Sequence, residues 1–301
     1  MRILMPIDGS TFSKAALSFI ASRSSLIESQ PDVELLNVQY PVSARVARGA
    51  GRELVQRYQE SESNKVIKPA VATLKRAGLR VQVKSMVGSP GAEVGRIAAE
   101  DAADLIVMGS HGHTGFKNLL FGSVTQAVLA SSNTPLLVLR SDAVPKKDSL
   151  KLGIALDGSK YGVAAVRFVV KHRALFGATP SLTLIHVVPD LLNLVVTGVF
   201  GDAPVPGFKP EQMTEMQRAA FERAMAPARK LLQGTIFQVT EMQLIGNNPG
   251  DAIAAYATKN KLDILALGSH GEGALRSMVL GSVATRVAAK SRNALLLIQQ
   301  K

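Results

Sequence analysis

One glycine-rich pattern occurs twice in this chain and restricts the folds that it can adopt. The pattern is Gly-Ser-His-Gly, then nine residues, then Gly-Ser, and it begins at Gly109 and again at Gly268. Each copy follows a short apolar run and precedes a helix-like segment that begins Gly-Ser-Val. A strand, a glycine-rich loop and a helix N-terminus together are typical of phosphate-binding sites. We therefore predict two copies of one nucleotide-binding domain.

The two copies align along most of their length. Gly268 lies 159 residues after Gly109, whereas Asp157, in the second Asp-Gly-Ser, lies 149 residues after Asp8 in the first. The second copy has therefore gained ten residues, which we assign to the apolar and Pro/Gly-rich segment 191–208, interpreted as a flap, a partner surface or a plain loop. We predict a first domain over 1–141, a linker over 142–149 and a second domain over 150–301.

Short apolar runs alternate with amphipathic segments in each copy. In the first copy we predict strands at 2–7, 33–39, 79–87, 104–108 and 135–139, and helices at 10–29, 48–77 with a break at Pro69, 91–102 and 123–131. This order predicts an α/β fold with two tandem, doubly wound, mainly parallel five-stranded sheets covered by helices on both faces, a Rossmann-like arrangement. Ligands of such sheets bind beyond the carboxyl ends of the strands.

Composition excludes several other classes of protein. The 301 residues include no cysteine, which excludes disulfides, cysteine-ligated zinc and thiol catalysis. The net charge is +12, but basic residues are interspersed with acidic ones and aromatic residues make up 5%, so nucleic acid is not an expected partner. The sequence has no apolar run long enough to cross a membrane, and we expect no secretory leader. We expect a cytoplasmic protein.

The glycine loop supplies the chemistry. Gly109 and Gly112 lack Cβ atoms where the chain leaves the sheet, which permits positive φ angles and lets the backbone approach a bulky ligand closely. The segment 122–125 begins a helix whose N–H groups, hydroxyls and dipole favour a polyphosphate. Asp8 and Asp157 follow the first strands, where a carboxylate can bind ribose, adenine or a water-held metal. Alternatively, the glycines make turns, Ser123 caps a helix and each Asp starts a turn.

The loop differs from two better-known phosphate loops. The chain has no G-x4-GK[ST] motif, so the lysine of a P-loop is missing, and the glycines follow the fourth strand, whereas a Rossmann fingerprint follows the first. Lys117 and Arg276 follow the loop glycines and are either phosphate ligands or exposed charges. His111 and His270 are interpreted as loop-shaping or ligand-contacting, and His172 and His186 as structural.

The G-x2-G-x9-G-[ST] spacing, the Asp after the first strand and the run Asp-Leu-Ile-Val-Met-Gly-Ser-His-Gly resemble the ATP-binding branch of the universal stress protein family. The resemblance covers both halves and implies an adenine nucleotide alpha hydrolase-like fold, and ATP held with Mg2+ or Mn2+. In the first half it points to Asp8, Val38, Met108, Gly109, Ser110, Gly112, Gly122, Ser123, Val124 and Thr125. In the second half it points to Asp157, Val187, Gly268, Ser269, Gly271, Gly281, Ser282 and Val283.

The resemblance also implies that the last strands pair, so that the two halves form an internal pseudo-dimer and whole chains can pair further. The second site departs more from the pattern, because Glu272 stands where the first copy has His113 and Ala294 where it has Pro135. We expect an ATP-binding stress-response regulator with an unidentified protein partner. A slow ATPase or nucleotidyl-transfer enzyme on this scaffold, with no catalytic residue assigned, and a nucleotide-independent interaction module are the alternatives.

Overall fold

A computed structural model describes residues 1–112, 120–140, 144–145, 147–191, 210–269 and 280–299. Several sequence-based assignments lie outside these residues. They are those made for part of the linker, for almost all of the segment 191–208 and for six loop residues: His113, Lys117, His270, Gly271, Glu272 and Arg276.

The first half alternates strands and helices in the predicted order. Its elements are β1 (Arg2–Pro6), α1 (Thr11–Ala21), α2 (Ser24–Glu28), β2 (Asp32–Gln39), α3 (Ala44–Ala50), α4 (Arg52–Arg76), β3 (Arg80–Val87), α5 (Pro90–Glu100), β4 (Leu105–Gly109), α6 (Ser123–Ser131) and β5 (Leu136–Leu139). The strand and helix bounds agree with the predicted ones within one or two residues, except in the first two helices.

The second half repeats the arrangement. Its elements are β6 (Lys151–Ala155), α7 (Lys160–Lys171), a 3-10 helix (Arg173–Phe176), β7 (Ser181–Val188), α8 (Pro210–Leu232), β8 (Gln238–Ile245), α9 (Pro249–Lys259), β9 (Ile264–Gly268), α10 (Ser282–Lys290) and β10 (Ala294–Ile298). The predicted second strand of this half, residues 181–188, has the same bounds as β7.

The ten strands form one sheet in the order β3-β2-β1-β4-β5-β10-β9-β6-β7-β8. Within each half the paired strands are parallel, and β5 and β10 pair antiparallel, with Leu137 opposite Leu296. These two leucines are equivalent in the duplication, so an approximate twofold axis passes between them. The predicted α/β fold is confirmed, and the two five-stranded sheets are joined through their last strands into one.

Helices cover both faces of the sheet. Phe19 of α1, Leu74 of α4, Val166 of α7 and Met225 of α8 belong to the core on one face. The helices α5, α6, α9 and α10 supply the core on the other face, for example through Val287 of α10. Burial of both sheet faces explains why the strands β1, β4, β5, β9 and β10 are almost continuously apolar.

Two helix predictions are wrong in detail. The predicted helix over 10–29 is two helices, because the chain turns between them at Arg23, whose side chain is only 1% exposed. The predicted break at Pro69 does not occur, since α4 continues through it. Pro69 lies on the exposed side of α4, where water can satisfy the carbonyl oxygen that loses its hydrogen bond. A break occurs instead at Gly51, which has a φ of 82° between α3 and α4.

Across the described residues, no helix is both long enough and apolar enough to cross a membrane.

The halves also meet around His172, at the end of α7. Its ring lies 4.6 Å from that of Phe168, and its Nε2 lies 3.9 Å from a carboxylate oxygen of Asp104 in the first half. Burial lowers the pKa of His172; Asp104 opposes this shift, while Lys171 and the terminal ammonium of Met1 add to it. The folded protein therefore favours the neutral imidazole.

We expect His172 to make the protein less stable in mild acid. Its folded pKa lies below the unfolded value of about 6.5, so its contribution to stability is present above that pH and is lost as the pH falls below it. In His172→Gln, the free energy of unfolding should fall less steeply between pH 7 and 5.5, by at most about 1.4 kcal/mol per pH unit. Urea unfolding across this range measures both slopes, and equal slopes would contradict the assignment.

Candidate functional site

The first half has a cavity of about 470 Å³ at the carboxyl ends of β1, β2 and β4. This is where a doubly wound sheet places its ligand. Nine of the ten predicted residues of this half line the cavity: Asp8, Val38, Met108, Gly109, Gly112, Gly122, Ser123, Val124 and Thr125. The exception is Ser110, which is 1% exposed and lies behind the cavity wall.

Ser110 holds the two ends of the glycine loop together. Its N–H donates to the Leu139 carbonyl of β5 (2.9 Å), and its own carbonyl accepts the Gly122 N–H (2.7 Å). In the second half, the Ser269 N–H donates to the Ile298 carbonyl (2.8 Å), and the Ser269 carbonyl accepts the Gly281 N–H (2.6 Å). The main chain at the base of the loop is therefore closed in the same way in both halves.

The loop glycines provide space, and neither Gly109 nor Gly112 has the positive φ angle that a missing Cβ permits. In the turns beside the two cavities, positive φ angles occur at Gly9 (80°) and Gly158 (85°). A Cβ on Gly109 would lie 2.4 Å from the Cβ of Phe12 in α1, and a Cβ on Gly112 would lie 2.7 Å from Asp8 Oδ2. Gly109 therefore lets a helix pack closely, and Gly112 lets the loop pass beside the Asp8 carboxylate.

The two aspartates combine a turn with a place in the cavity. Asp8 Oδ1 accepts the N–H of Ser10 (2.9 Å), and Asp157 Oδ1 accepts that of Ser159 (3.0 Å). The alternative that each Asp starts a turn is thus realised in the structure. Both residues also line a cavity, so the turn fixes the orientation of the carboxylate at the mouth of each site.

The helices α6 and α10 begin at the cavities without a side-chain cap. Their N-cap residues are Gly122 and Gly281, and among the described residues no side chain accepts a hydrogen bond from their first turns. Ser10, Ser159 and Asn248 cap α1, α7 and α9, whereas α2, α4 and α5 also begin without a side-chain cap. The first N–H groups of a helix need an acceptor, and at α6 and α10 these groups face a cavity. Such an end is a favourable place for an anion.

The second half has a corresponding cavity of about 380 Å³. Six of its eight predicted residues line it: Asp157, Val187, Gly268, Gly281, Ser282 and Val283. Ser269 is 1% exposed, like Ser110, and Gly271 lies outside the part of the chain that is described. Ala284 replaces Thr125, whose hydroxyl donates to the Gly109 carbonyl (3.2 Å). The second loop therefore lacks one of the hydrogen bonds that brace the first.

A histidine in the second cavity takes the place of a buried asparagine in the first half. Asn37 Nδ2 donates to the carbonyl of Ile7, after β1 (2.8 Å). At the equivalent position, His186 Nδ1 lies 2.6 Å from the carbonyl of Leu156, after β6. A carbonyl can only accept, so Nδ1 carries the proton. His186 also lines the second cavity, a role that its sequence context did not indicate.

Sequence reasoning missed several further wall residues. In the first cavity these are Pro6, Ile7, Ser10, Ser13, Leu36, Tyr40, Pro90 and Val94. His111, interpreted from the sequence as loop-shaping or ligand-contacting, also lines this cavity. In the second cavity the missed residues are Ala155, Leu156, Ser159, Gly162, Ile185, His186, Pro249, Ile253, Leu267 and Ala284. Two of these residues could have been found from their spacing along an element, because residues at such spacings lie on the same face. Tyr40 is two residues beyond Val38, and Val94 is one helical turn beyond Pro90.

Protein groups alone do not form a metal site in the described part of the chain. Within it, no group of three or more His, Cys, Asp or Glu side chains is arranged to hold a metal ion. A metal at either cavity would therefore need ligands from a bound molecule.

Comparison with known proteins gives one consistent family. The sequence model described as the universal stress protein family matches residues 1–140 and again residues 150–299. A universal stress protein of Mycolicibacterium smegmatis is 24% identical over 305 residues, a match that covers 99% of this chain and 97% of that protein. This relative has both halves.

Two further comparisons also find universal stress proteins. Universal stress protein MJ0577 of Methanocaldococcus jannaschii is 39% identical over 88 residues, which cover 29% of this chain and about half (54%) of that protein. The crystal structure of a universal stress protein from Archaeoglobus fulgidus superposes with a TM-score of 0.66 at 22% identity, covering 99% of this chain and 96% of that one. The second likeness supports the fold over the whole chain.

The packing role of Gly109 gives a stability prediction. In Gly109→Ala, the added Cβ would lie 2.4 Å from the Cβ of Phe12 and 2.7 Å from its carbonyl carbon, so we expect a loss of about 1–3 kcal/mol in the free energy of unfolding. Gly246→Ala is the control, because its Cβ would meet its nearest neighbour, Ala252, at 3.6 Å. Its effect should stay within about 0.5 kcal/mol. Urea unfolding measures both, and equal effects would show that Gly109 is not needed for packing.

Proposed function

The chain belongs to the universal stress protein family, and we propose that it binds ATP in both cavities and acts as a cytoplasmic stress-response regulator. Nucleotide binding alters its contacts with a protein partner or with a second copy of the chain. The regulator is not primarily an enzyme.

The uncapped starts of α6 and α10 support this proposal most strongly. The same main-chain closure, the same glycine N-cap and the same open first turn occur at both cavities. A capping side chain would have stabilised each helix by about 1 kcal/mol. Its absence from both copies fits a ligand that supplies the acceptor, and phosphate is the ligand that best satisfies several N–H groups and a helix dipole together.

The rest of each cavity suits a nucleoside. Val38 and Met108 give the first cavity an apolar wall, and the Asp8 carboxylate lies at its mouth. We propose that the adenosine part contacts Val38 and Asp8 and that the phosphates lie on the segment 122–125. In the second cavity, Val187 and Asp157 hold the adenosine part and the segment 281–283 holds the phosphates. A volume of about 380–470 Å³ is in the range of small-ligand sites.

Mg2+ or Mn2+ is proposed to enter with the nucleotide. Oxygen ligands suit both ions, and Mg2+ in particular is commonly held by one or two carboxylates together with substrate phosphates. Asp8 and Asp157 are the carboxylates that line the described parts of the two cavities. The nucleotide phosphates would supply the remaining ligands, which accounts for a protein that offers few of its own.

The internal pairing of the halves limits how whole chains associate. Because β5 and β10 pair with each other within one chain, neither is an open edge for a second copy. The strands left at the edges of the ten-stranded sheet are β3 and β8. We propose that any further association of chains uses these edges or the helical faces.

The decisive test replaces the N-cap glycines with aspartate. In Gly122→Asp and Gly281→Asp, the new carboxylate should accept the free N–H groups and repel phosphate, while a good N-cap stabilises the helix. We expect about two ATP per chain released on denaturation of the gently purified wild-type protein, about one from either variant and none from the double variant. Chromatography and mass spectrometry identify and count the nucleotide.

Thermal unfolding of the ligand-free proteins is the control for misfolding. The cap gained by Gly122→Asp is opposed by its new Cβ, which would lie 3.3 Å from the Cα of His111 and 3.4 Å from the carbonyl oxygen of Ser110, so the variants should melt close to the wild type rather than above it. Absence of nucleotide from the wild type, followed by no binding when ATP and Mg2+ are added, would refute the proposal. Hydrolysis above about one turnover per minute would favour the enzyme alternative, since ordinary enzymes turn over at roughly 1–1,000 per second.

A further inference from the structure

A third cavity, which we call the seam cavity, lies where the two halves join. It has a volume of about 430 Å³ and is formed by the end of β5, the linker, the C-terminal end of α9 and the residues that precede β9 and β10. Its wall includes the side chains of Arg140, Lys261 and Arg292, together with apolar groups such as Leu139 and Leu262. It shares none of its lining residues with the two nucleotide cavities.

The charges around this cavity are not balanced. Asp263 is the one acidic residue in its described lining. That carboxylate already accepts the Lys147 ammonium (2.7 Å) and the Lys151 N–H (2.7 Å). None of Arg140, Lys261 and Arg292 forms an ion pair with a described acidic residue. Among the described residues, three cations therefore line the cavity without a carboxylate of their own.

Arg140 is the most constrained of the three. Its Nη1 donates to the Ser291 carbonyl across the seam, and its guanidinium lies 5.6 Å from the centre of the Phe121 ring. Its Nε is buried and has no hydrogen-bond partner. Burial lowers the pKa of Arg140, and the nearby charge of Arg292 lowers it further. A half-buried guanidinium near another cation is costly unless an anion compensates it.

The twofold relation of the halves provides an internal comparison. The residues equivalent to Arg140, Lys261 and Arg292 are Gln299, Ala102 and Asn133. Ala102 and Lys261 share the same left-handed backbone, with φ of 49° and 53°, so the equivalence holds in the structure. The neutral set shows that this backbone arrangement does not itself require cations. All three charges occur at one end of the seam only.

We infer that the seam cavity binds the phosphate group of a small molecule between Arg140 and Arg292, with Lys261 at its edge. A phosphate dianion has enough charge and enough oxygen atoms for three cations, and guanidinium groups bind it with two parallel hydrogen bonds. The cavity is much larger than one phosphate, and its apolar walls leave space for an organic substituent. This site does not depend on nucleotide binding in the other two cavities.

The test follows the Arg140 side chain directly in the full-length protein. The Nε–Hε signal of Arg140 in a nitrogen–proton spectrum is assigned by its loss in Arg140→Gln. Titration with inorganic phosphate, at ionic strength held constant with KCl, should shift this signal to saturation. In the double variant Lys261→Ala and Arg292→Asn, the affinity at Arg140 should fall about tenfold or more. These substitutions install the residues that the chain itself carries at the equivalent positions, so folding should be preserved.

The control removes two cations elsewhere. Arg45 and Arg52 are exposed on α3 and α4, and the double variant Arg45→Gln and Arg52→Gln should bind phosphate at Arg140 with unchanged affinity. No saturable shift, an equal shift with acetate, or equal losses in the two double variants would overturn the inference.

A comparison of two phosphate compounds identifies the source of the group. Tighter binding of phenyl phosphate than of inorganic phosphate would support a phosphate monoester whose substituent contacts the apolar wall, and equal binding would support free phosphate.

Discussion

The antiparallel pairing of β5 with β10 is the contact on which the rest of the structure depends. In each half taken alone, the last strand would be an open edge with unpaired N–H and C=O groups, which is a site for aggregation. Pairing these two strands covers both edges within one chain and places Leu137 against Leu296 in the sheet. The strands that remain at the edges, β3 and β8, consist of exposed and partly buried residues. Such edges tolerate water.

The seam also shows how a duplicated chain becomes asymmetric without changing its backbone. Gln299 and Arg140 are equivalent, and each donates to a backbone carbonyl, Gln299 to that of Leu129 (2.8 Å) and Arg140 to that of Ser291. The neutral amide is satisfied by such a bond, whereas the guanidinium has further donors and a charge. One substitution therefore keeps the architecture of the join and creates an unbalanced cation beside Phe121, next to the first glycine loop.

Much of the fold was predictable because its signals are local. The apolar runs, the two Asp-Gly-Ser turns and the two glycine loops are short segments whose residue types determine strands, turns and helix starts. The details that failed depend on surroundings. Whether Pro69 breaks a helix depends on which side of α4 it occupies. Whether the absence of a Cβ at Gly109 serves backbone freedom or close packing depends on the position of Phe12.

The main-chain loop of each site could be predicted from the sequence, whereas the side chains that line the cavity walls were harder to predict. The repeated spacing indicates where backbone N–H groups are presented, and most of the predicted residues do line the cavities. The role of a polar side chain within a strand, such as His186, depends on a carbonyl thirty residues away. The seam cavity was not predictable, because Arg140 and Arg292 are 152 positions apart in the sequence and meet only through the pairing of the last strands.

The two glycine-loop cavities differ behind their second strands. In the first half, Ser63 of α4 donates to the Asn37 side chain (2.6 Å) and lies 2.6 Å from the hydroxyl of Ser85 in β3. In the second half, the equivalent of Ser63 is Phe221, whose ring lies 6.3 Å from that of His186. A buried polar network has thus been replaced by an aromatic contact behind the strand that would face the nucleoside.

The opposite end of each cavity depends mainly on the main chain, and its one described side-chain difference is Ala284 in place of Thr125, whose hydroxyl braces the first loop. The closure of the loop through Ser110 or Ser269 and the open first turns of α6 and α10 use backbone groups, which side-chain substitutions leave in place. Divergence between the copies should therefore change which base or sugar is preferred before it changes the binding of phosphates. Under the proposed function, backbone recognition of the phosphates would leave the two halves of one chain free to differ in nucleoside preference while both keep the same glycine loop.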